Sequence, residues 1–195
     1  MSAIAKKLFK YRSYTPIPFL LIMFFYENAN IWSLILGFII ALTGELTRLW
    51  GVSWAGSETR TTGTVGGAFL VVSGPFAHVR NPLYLGNILM YLGLGIMSYA
   101  LFPYLQVIAL IFFMIQYHLI VKEEEEYLRN TYGKSYEDYV NKVPRFIPRL
   151  HPYKIKGVEQ PSFKLNAGLK SEKRTLQAFG FVTVTIFLLW FVGRF

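Results

Sequence analysis

Apolar and polar residues run along this chain in long blocks, with little of the short alternation a half-buried strand would give. After a basic start (Lys6, Lys7, Lys10, Arg12), an apolar run fills Ile17 to Tyr26. Glu27-Asn28-Ala29-Asn30 then makes a polar turn before a second run, Ile31 to Leu49. A third run covers Leu83 to Leu101, a fourth Pro103 to Val121, and a fifth Leu176 to Val192. Runs of this kind predict membrane-spanning helices, since a ~30 Å hydrocarbon core takes about 20 apolar residues. The first is the shortest: helix from Ser13 to Tyr26 would rise only ~21 Å. It therefore begins nearer Leu8 or forms half of a hairpin with the second. A basic-then-apolar start also describes a signal peptide, but no small-x-small cleavage pattern follows Tyr26, so a retained helix is expected. The pattern predicts an all-α, polytopic membrane protein with about five transmembrane helices in a single domain, residues 1–195.

The segments between the runs are unequal in interest. Gly37, Ala41 and Gly44 recur at roughly helical spacing in the second run and predict a close-packing face. Glu45 and Arg48, three apart near its end, are placed to pair as interfacial charges. Trp54 to Ser73 reads as a loop rich in Gly, Thr and Ser, briefly extended at Phe69 to Val72. Its Gly63-Thr64-Val65-Gly66-Gly67 lacks the G-x-G-x-x-G spacing and a surrounding βαβ unit, so it does not read as a phosphate loop. Gly86, Gly93 and Gly95 dot the third run, and Gln116 and His118 the fourth; His118 reads equally as a packing residue or the wall of a site. The fourth run continues into Lys122-Glu123-Glu124-Glu125-Glu126-Tyr127-Leu128, four carboxylates in about one helical turn. Such mutual repulsion gathers at functional sites. Gly133 reads as a helix terminator, and Ser135-x-x-Asp138 resembles a capping box that opens another helix. Tyr132, Tyr136, Tyr139 and Val140 form an aromatic stripe on it, and Val143-Pro144-Arg145-Phe146-Ile147-Pro148 ends it. Residues 150–174 read as a basic linker before the last transmembrane helix, 176–192.

Composition agrees with the membrane reading. The chain is 53% hydrophobic, with mean hydropathy +0.37. Its 16% charged residues fall below the ~25% of soluble domains. A net charge of +9 would suggest nucleic acid in a soluble protein. Here it distributes by topology instead, and no nucleic-acid partner is expected. With five spans, every Lys and Arg except Arg194 falls on the side shared by the N-terminus, the second-to-third loop and the fourth-to-fifth segment. The positive-inside rule makes that side cytoplasmic. The chain has no cysteine, which excludes disulfides, thiolate metal sites and a cysteine nucleophile; no metal site is expected.

Two charged blocks carry the chemistry. The first is Gly74-Pro75-Phe76-Ala77-His78-Val79-Arg80-Asn81-Pro82-Leu83-Tyr84-Leu85-Gly86, where a loop runs into the third apolar run. Pro82 suits the first turn of a helix, where its missing N–H is unsatisfied anyway. Arg80, Asn81 and Tyr84 then meet at the mouth of a membrane helix, and an arginine there is available to an anion. Arg80 to Gly86 resembles the Arg-His-Pro-x-Tyr-x-Gly signature of the isoprenylcysteine carboxyl methyltransferase and phospholipid methyltransferase superfamily, with Asn81 where that family usually has His. The second block, Glu124-Glu125-x-x-Leu128, Tyr132-Gly133-x-x-Tyr136-x-x-Tyr139 and Val143 to Pro148, is similar to the same superfamily's C-terminal pattern. The two define a motif core, residues 74–148.

The resemblance implies an integral membrane enzyme that uses S-adenosyl-L-methionine to methylate a lipid or lipidated acceptor arriving from the bilayer. That acceptor is isoprenylcysteine carboxylate-like or phospholipid amine-like. The resemblance assigns Arg80, Glu125 and Arg145 to catalysis. It assigns Arg80, Asn81, Tyr84, Glu124, Glu125, Tyr136 and Tyr139 to the cofactor, in a site facing the cytoplasm. These residue types suit that ligand: Arg80 or Arg145 for its carboxylate, Glu124 or Glu125 for its ammonium, aromatic rings for its sulfonium. Two alternatives remain open. One is a sterol-reductase-like membrane enzyme using NADPH, which shares a similar C-terminal pattern. The other is a non-catalytic membrane subunit.

Overall fold

The computed structural model describes residues 3–56, 70–155 and 160–193, with side chains from Lys7 onward. Among these residues the regular structure is entirely helical. Seven α-helices follow one another: α1 (Ala3–Tyr11), α2 (Ile17–Phe25), α3 (Ile31–Ala55), α4 (Pro82–Ser98), α5 (Tyr104–Tyr132), α6 (Lys134–Lys142) and α7 (Leu165–Val192). A 3₁₀ turn, Gly74–Ala77, precedes α4.

Local chemistry sets several of these boundaries. Asn30 caps α3 by accepting from the Trp32 and Ser33 amides, both at 3.0 Å, while the Ser33 hydroxyl accepts from the Asn30 amide at 2.9 Å. This reciprocal box satisfies the first orphan donors of the helix. Pro82 opens α4 as expected. Gly133, at φ +51°, separates α5 from α6 in a conformation that side chains resist.

Helices α3, α5 and α7, of 25, 29 and 28 residues, are long and apolar enough to cross a membrane, and α4 is a shorter apolar helix of 17. The first expected span departs from the prediction. It is two nine-residue helices, α1 and α2, joined by a turn at residues 12–16. Pro16 and Pro18 at the start of α2 restart the helix there, and each piece rises only ~14 Å. Two other boundaries shift: helix α3 continues past Leu49 to Ala55, and α7 begins at Leu165, so residues 165–174 of the expected linker are helical. Helix α5 carries all four glutamates to Tyr132, just before the expected terminator Gly133. Leu70 to Val72 form no strand, and the Gly63 to Gly67 segment lies outside the described residues.

The centre of the bundle is the α3–α4 contact. A Cβ on Gly93 would lie 2.6 Å from the Gly37 carbonyl, and one on Gly44 would lie 2.5 Å from the Gly86 carbonyl. The two backbones touch, which is what the small-residue spacing predicted. Met90, Leu94 and Met97 of α4 fill the adjoining core with Leu34 and Ala41 of α3, Met23 of α2 and Ile186 of α7. Outward faces are apolar, as at Ile35, Ile39, Ile108, Ile115, Phe181 and Leu188, and present hydrocarbon to the bilayer. His118 is exposed on α5 and does not line a site. Helix α6 sits on a separate cluster of Leu70, Val72, Tyr136, Tyr139 and Val143.

Candidate active site

The loop before α4 is fixed by backbone bonds to the segment after α6. The Phe76 carbonyl accepts from the Tyr139 hydroxyl at 2.7 Å, and the Ala77 carbonyl from the Tyr153 amide at 2.8 Å. The His78 carbonyl accepts from the Arg149 amide at 2.9 Å, and the Arg80 amide donates to the Pro144 carbonyl at 2.9 Å. The two charged blocks of the sequence are thus laced together, which explains their pairing in one chain.

Side chains complete the junction. Arg80 Nη1 donates to the Val140 and Val143 carbonyls at 3.0 and 2.7 Å, holding the C-terminal end of α6 where its dipole favours a cation. Arg80 Nε donates to Glu125 Oε1 at 3.0 Å. Arg145 reaches the same carboxylate from the other side, Nε to Oε1 at 3.2 Å and Nη2 to Oε2. Asn81 Nδ2 lies 3.5 Å from Glu125 Oε1, at the outer limit of a hydrogen bond. The amide therefore stands beside Glu125 from the position where the superfamily's imidazole is usual. Glu125 is only 5% exposed and its charge is held by two guanidinium groups.

Glu124 is held differently. Tyr84 donates its hydroxyl to Glu124 Oε1 at 2.6 Å, and the Tyr84 ring packs on Tyr117 with centroids 4.8 Å apart. No described cation comes within ion-pair distance of Glu124. Tyr136 and Tyr139 are buried on α6, and burial pushes both phenols well above their ordinary pKa, so they stay protonated hydrogen-bond donors.

These groups surround a cavity of about 850 Å³. Arg80, Asn81, Tyr84, Glu124, Glu125, Tyr136 and Tyr139 all line it. Arg145 does not; it meets the lining through its bonds to Glu125. From this charged end the cavity extends past α4 to apolar walls at Leu20, Leu94, Phe179 and Val182.

The structure adds a second polar group that the sequence did not reveal. Arg48 Nη1 donates to Asn87 Oδ1 at 2.6 Å, and Nη2 donates to both Glu172 oxygens at 3.0 and 2.8 Å. Glu172 is fully buried, and the three residues tie α3, α4 and α7 together along one cavity wall. Glu45 does lie by Arg48, at 3.8 Å, but Glu172 is the closer partner. A glutamate four residues after the close-packed Gly168 was the available sign of an inward-facing stripe on α7.

The fold and site together define a helical membrane protein with an arginine–carboxylate junction at the charged end of its bundle. The chain belongs to the phospholipid methyltransferase family, whose model matches residues 32–135. That segment holds α3, α4, α5 and every lining residue named from the sequence except Tyr136 and Tyr139. Among curated proteins, it is 31% identical over 121 residues to the cobalt-zinc-cadmium resistance protein CzcN of Cupriavidus metallidurans, covering 62% of this chain and 51% of that one. It is 30% identical over 115 residues to the nickel-cobalt-cadmium resistance protein NccN of Alcaligenes xylosoxydans xylosoxydans, covering 59% and 48%. A third match, 37% over 103 residues, is to the mouse Delta(14)-sterol reductase TM7SF2, covering 51% of this chain and 23% of the reductase. The chain spans about half the length of the two resistance proteins. No solved structure matches it.

Proposed function

We propose that this protein transfers a methyl group from S-adenosyl-L-methionine to a lipid or lipidated acceptor, with its N-terminus and charged cavity end facing the cytoplasm. The observation that carries this reading is the junction itself. Glu125 is locked between Arg80 and Arg145, while Glu124 faces the same cavity with the Tyr84 hydroxyl as its hydrogen-bond partner and the Arg12 charge nearby, in ion-pair contact with no described residue. The residues present fit the cofactor's groups. Glu124 has charge available for an ammonium, and Arg80 Nη2 has no partner among the described residues and is available to a carboxylate. The Asn81 amide and the Tyr84, Tyr136 and Tyr139 rings supply polar and aromatic lining. Held there, S-adenosylmethionine would supply an electrophilic methyl whose carbon–sulfur bond breaks as the acceptor bonds to it, with S-adenosylhomocysteine as the leaving group.

The protein's own part is positioning and exclusion of water, which can carry most of the rate of such a transfer. Arg145 and Glu125 hold Arg80 in place, and Arg80 holds α6 and its two tyrosines against the cavity. A carboxylate acceptor needs no base. An amine acceptor must also lose a proton. NADPH-dependent reduction is the second reading, supported by the sterol reductase match over part of the chain. No metal is assigned to the cavity: among the described residues, no three His, Asp or Glu side chains gather in a metal-binding cluster.

Sealed membrane vesicles of both orientations test this reading and its sidedness together. Methyl-labelled S-adenosylmethionine, added outside, should label lipid extracts of inside-out vesicles and not of right-side-out vesicles. Labelling confined to right-side-out vesicles would reverse the orientation. No protein-dependent label after permeabilisation would overturn the transfer reading.

A further inference from the structure

The α1–α2 turn brings to the cavity a cation that belongs to neither charged block of the sequence. Arg12 lines the same cavity as Tyr84 and Glu124, with Phe9 and Pro16 lining it on either side. Local bonds fix it there. Arg12 Nη1 donates to the Phe9 carbonyl at 2.6 Å, and its guanidinium carbon stands 3.8 Å from the centre of the Phe9 ring. The Thr15 hydroxyl donates to the Arg12 carbonyl at 3.0 Å. Leu8 and Phe9 pack on the buried cluster of Ile88, Phe113 and Tyr117, and Tyr84 packs on it as well. One cluster therefore seats both the turn that carries Arg12 and the tyrosine that holds Glu124.

The Arg12 charge acts on Glu124 and on the Tyr84 hydroxyl bonded to it. Yet among the described residues Arg12 and Glu124 make no ion pair. They are opposite charges facing one cavity, close enough to interact and too far apart to touch. A lone cation between them would be drawn to Glu124 and repelled by Arg12, and a lone anion would meet the reverse. A group carrying an ammonium and a carboxylate on neighbouring atoms is favoured at both ends, each through a charge-assisted hydrogen bond. Arg80 is the weaker partner for such a carboxylate, because Glu125 already offsets its charge and its Nε and Nη1 are in use.

We propose that Arg12 and Glu124 clamp the zwitterionic amino-acid end of S-adenosyl-L-methionine, Glu124 taking the ammonium and Arg12 the carboxylate. The identity of that ligand rests on the proposed transfer reaction. Arg12 lies outside residues 32–135, which match the family model, so this half of the clamp comes from the chain's own N-terminal hairpin.

Calorimetry on the full chain in non-ionic detergent, with three ligands, tests the clamp. S-adenosylhomocysteine carries both charged groups. Its decarboxylated analogue keeps the ammonium alone, and 5′-methylthioadenosine has neither. Wild type should bind S-adenosylhomocysteine about tenfold more tightly than the decarboxylated analogue, the low end for a charge-assisted hydrogen bond. Arg12→Gln should weaken S-adenosylhomocysteine about tenfold, leave the decarboxylated analogue no weaker than before, and so erase the difference. Arg12→Lys should recover part of the loss. Glu124→Gln should weaken both amine-bearing ligands. Binding of 5′-methylthioadenosine should stay at its wild-type value in every variant, which also reports that the variants are folded. Equal wild-type affinity for S-adenosylhomocysteine and the decarboxylated analogue would overturn the proposal with no variant needed. Equal weakening of those two ligands by Arg12→Gln would show that Arg12 shapes the site without meeting the carboxylate, and would overturn it too. Unchanged S-adenosylhomocysteine binding in Arg12→Gln would remove the clamp and leave the proposed function standing. A wild type that binds none of the three ligands would sink both.

Discussion

Glu125→Gln is expected to reduce methyl transfer by at least ~100-fold and to lower the melting temperature. Glutamine keeps the shape of the side chain and removes only its charge. Arg80 and Arg145 then face each other across a neutral group in a largely buried junction. Removing one member of a buried ion pair costs on the order of 3 kcal/mol, because the remaining charge is left uncompensated. The damage spreads, since Arg80 also carries the carbonyl end of α6, and α6 carries Tyr136 and Tyr139. A cost of that size in the transition state corresponds to roughly a hundredfold in rate. Glu126→Gln is the matched control: Glu126 is exposed, lies outside the cavity lining, and should keep near-normal activity and stability. Equal and mild effects at Glu125 and Glu126 in transfer assays and thermal melts would show a solvated acidic patch and no junction.

Gly93→Leu is expected to prevent folding outright. A Cβ at this position would already meet the Gly37 carbonyl at 2.6 Å, and it would also press on the Ala41 backbone. Backbone atoms of a packed helix pair cannot yield as a flexible side chain can, so α3 and α4 must separate. Overpacking a core by a few methylenes typically costs ~1–3 kcal/mol, and here the strain falls on backbone. Because α3 and α4 also carry Arg48 and Asn87, separation would break the α7 attachment too. The variant should accumulate poorly and elute as aggregate on size exclusion in detergent. Gly180→Leu, at an α7 position with no neighbouring atom within 4 Å, should behave as wild type. A monodisperse Gly93→Leu protein with unchanged melting would show that the close helix contact is dispensable.

Much of this site was readable in the sequence because its parts are local. Arg80, Asn81 and Tyr84 sit at one helix start, and Glu124 and Glu125 at one helix extension, so identifying the helices brings both groups to the same end of the bundle. What sequence could not supply was the division of labour between the two glutamates. Glu125 is paired because Arg145, twenty residues later, folds back on it beside Arg80, whereas Glu124 accepts from the Tyr84 hydroxyl. The Arg48–Glu172 bond joins residues 124 positions apart, and no helical periodicity connects them. Glu172 was further hidden in a stretch whose lysines and arginines resembled a linker, although Gly168 and Glu172 mark one inward stripe of α7. The first span was legible only in part: the apolar run Ile17 to Tyr26 is helix α2 almost residue for residue, while Pro16 and Pro18 set its start and separate it from α1.

The central claim is that the charged end of the cavity binds S-adenosylmethionine, and thermal unfolding of the purified protein in detergent tests it most directly. A ligand that binds only the folded state adds about 2.7 kcal/mol at a hundredfold excess over its Kd. S-adenosylhomocysteine should raise the melting temperature of the wild type and fail to raise that of a folded Glu124→Gln variant, while NADPH leaves both unchanged. A rise with NADPH, or no rise with either ligand, would contradict the account.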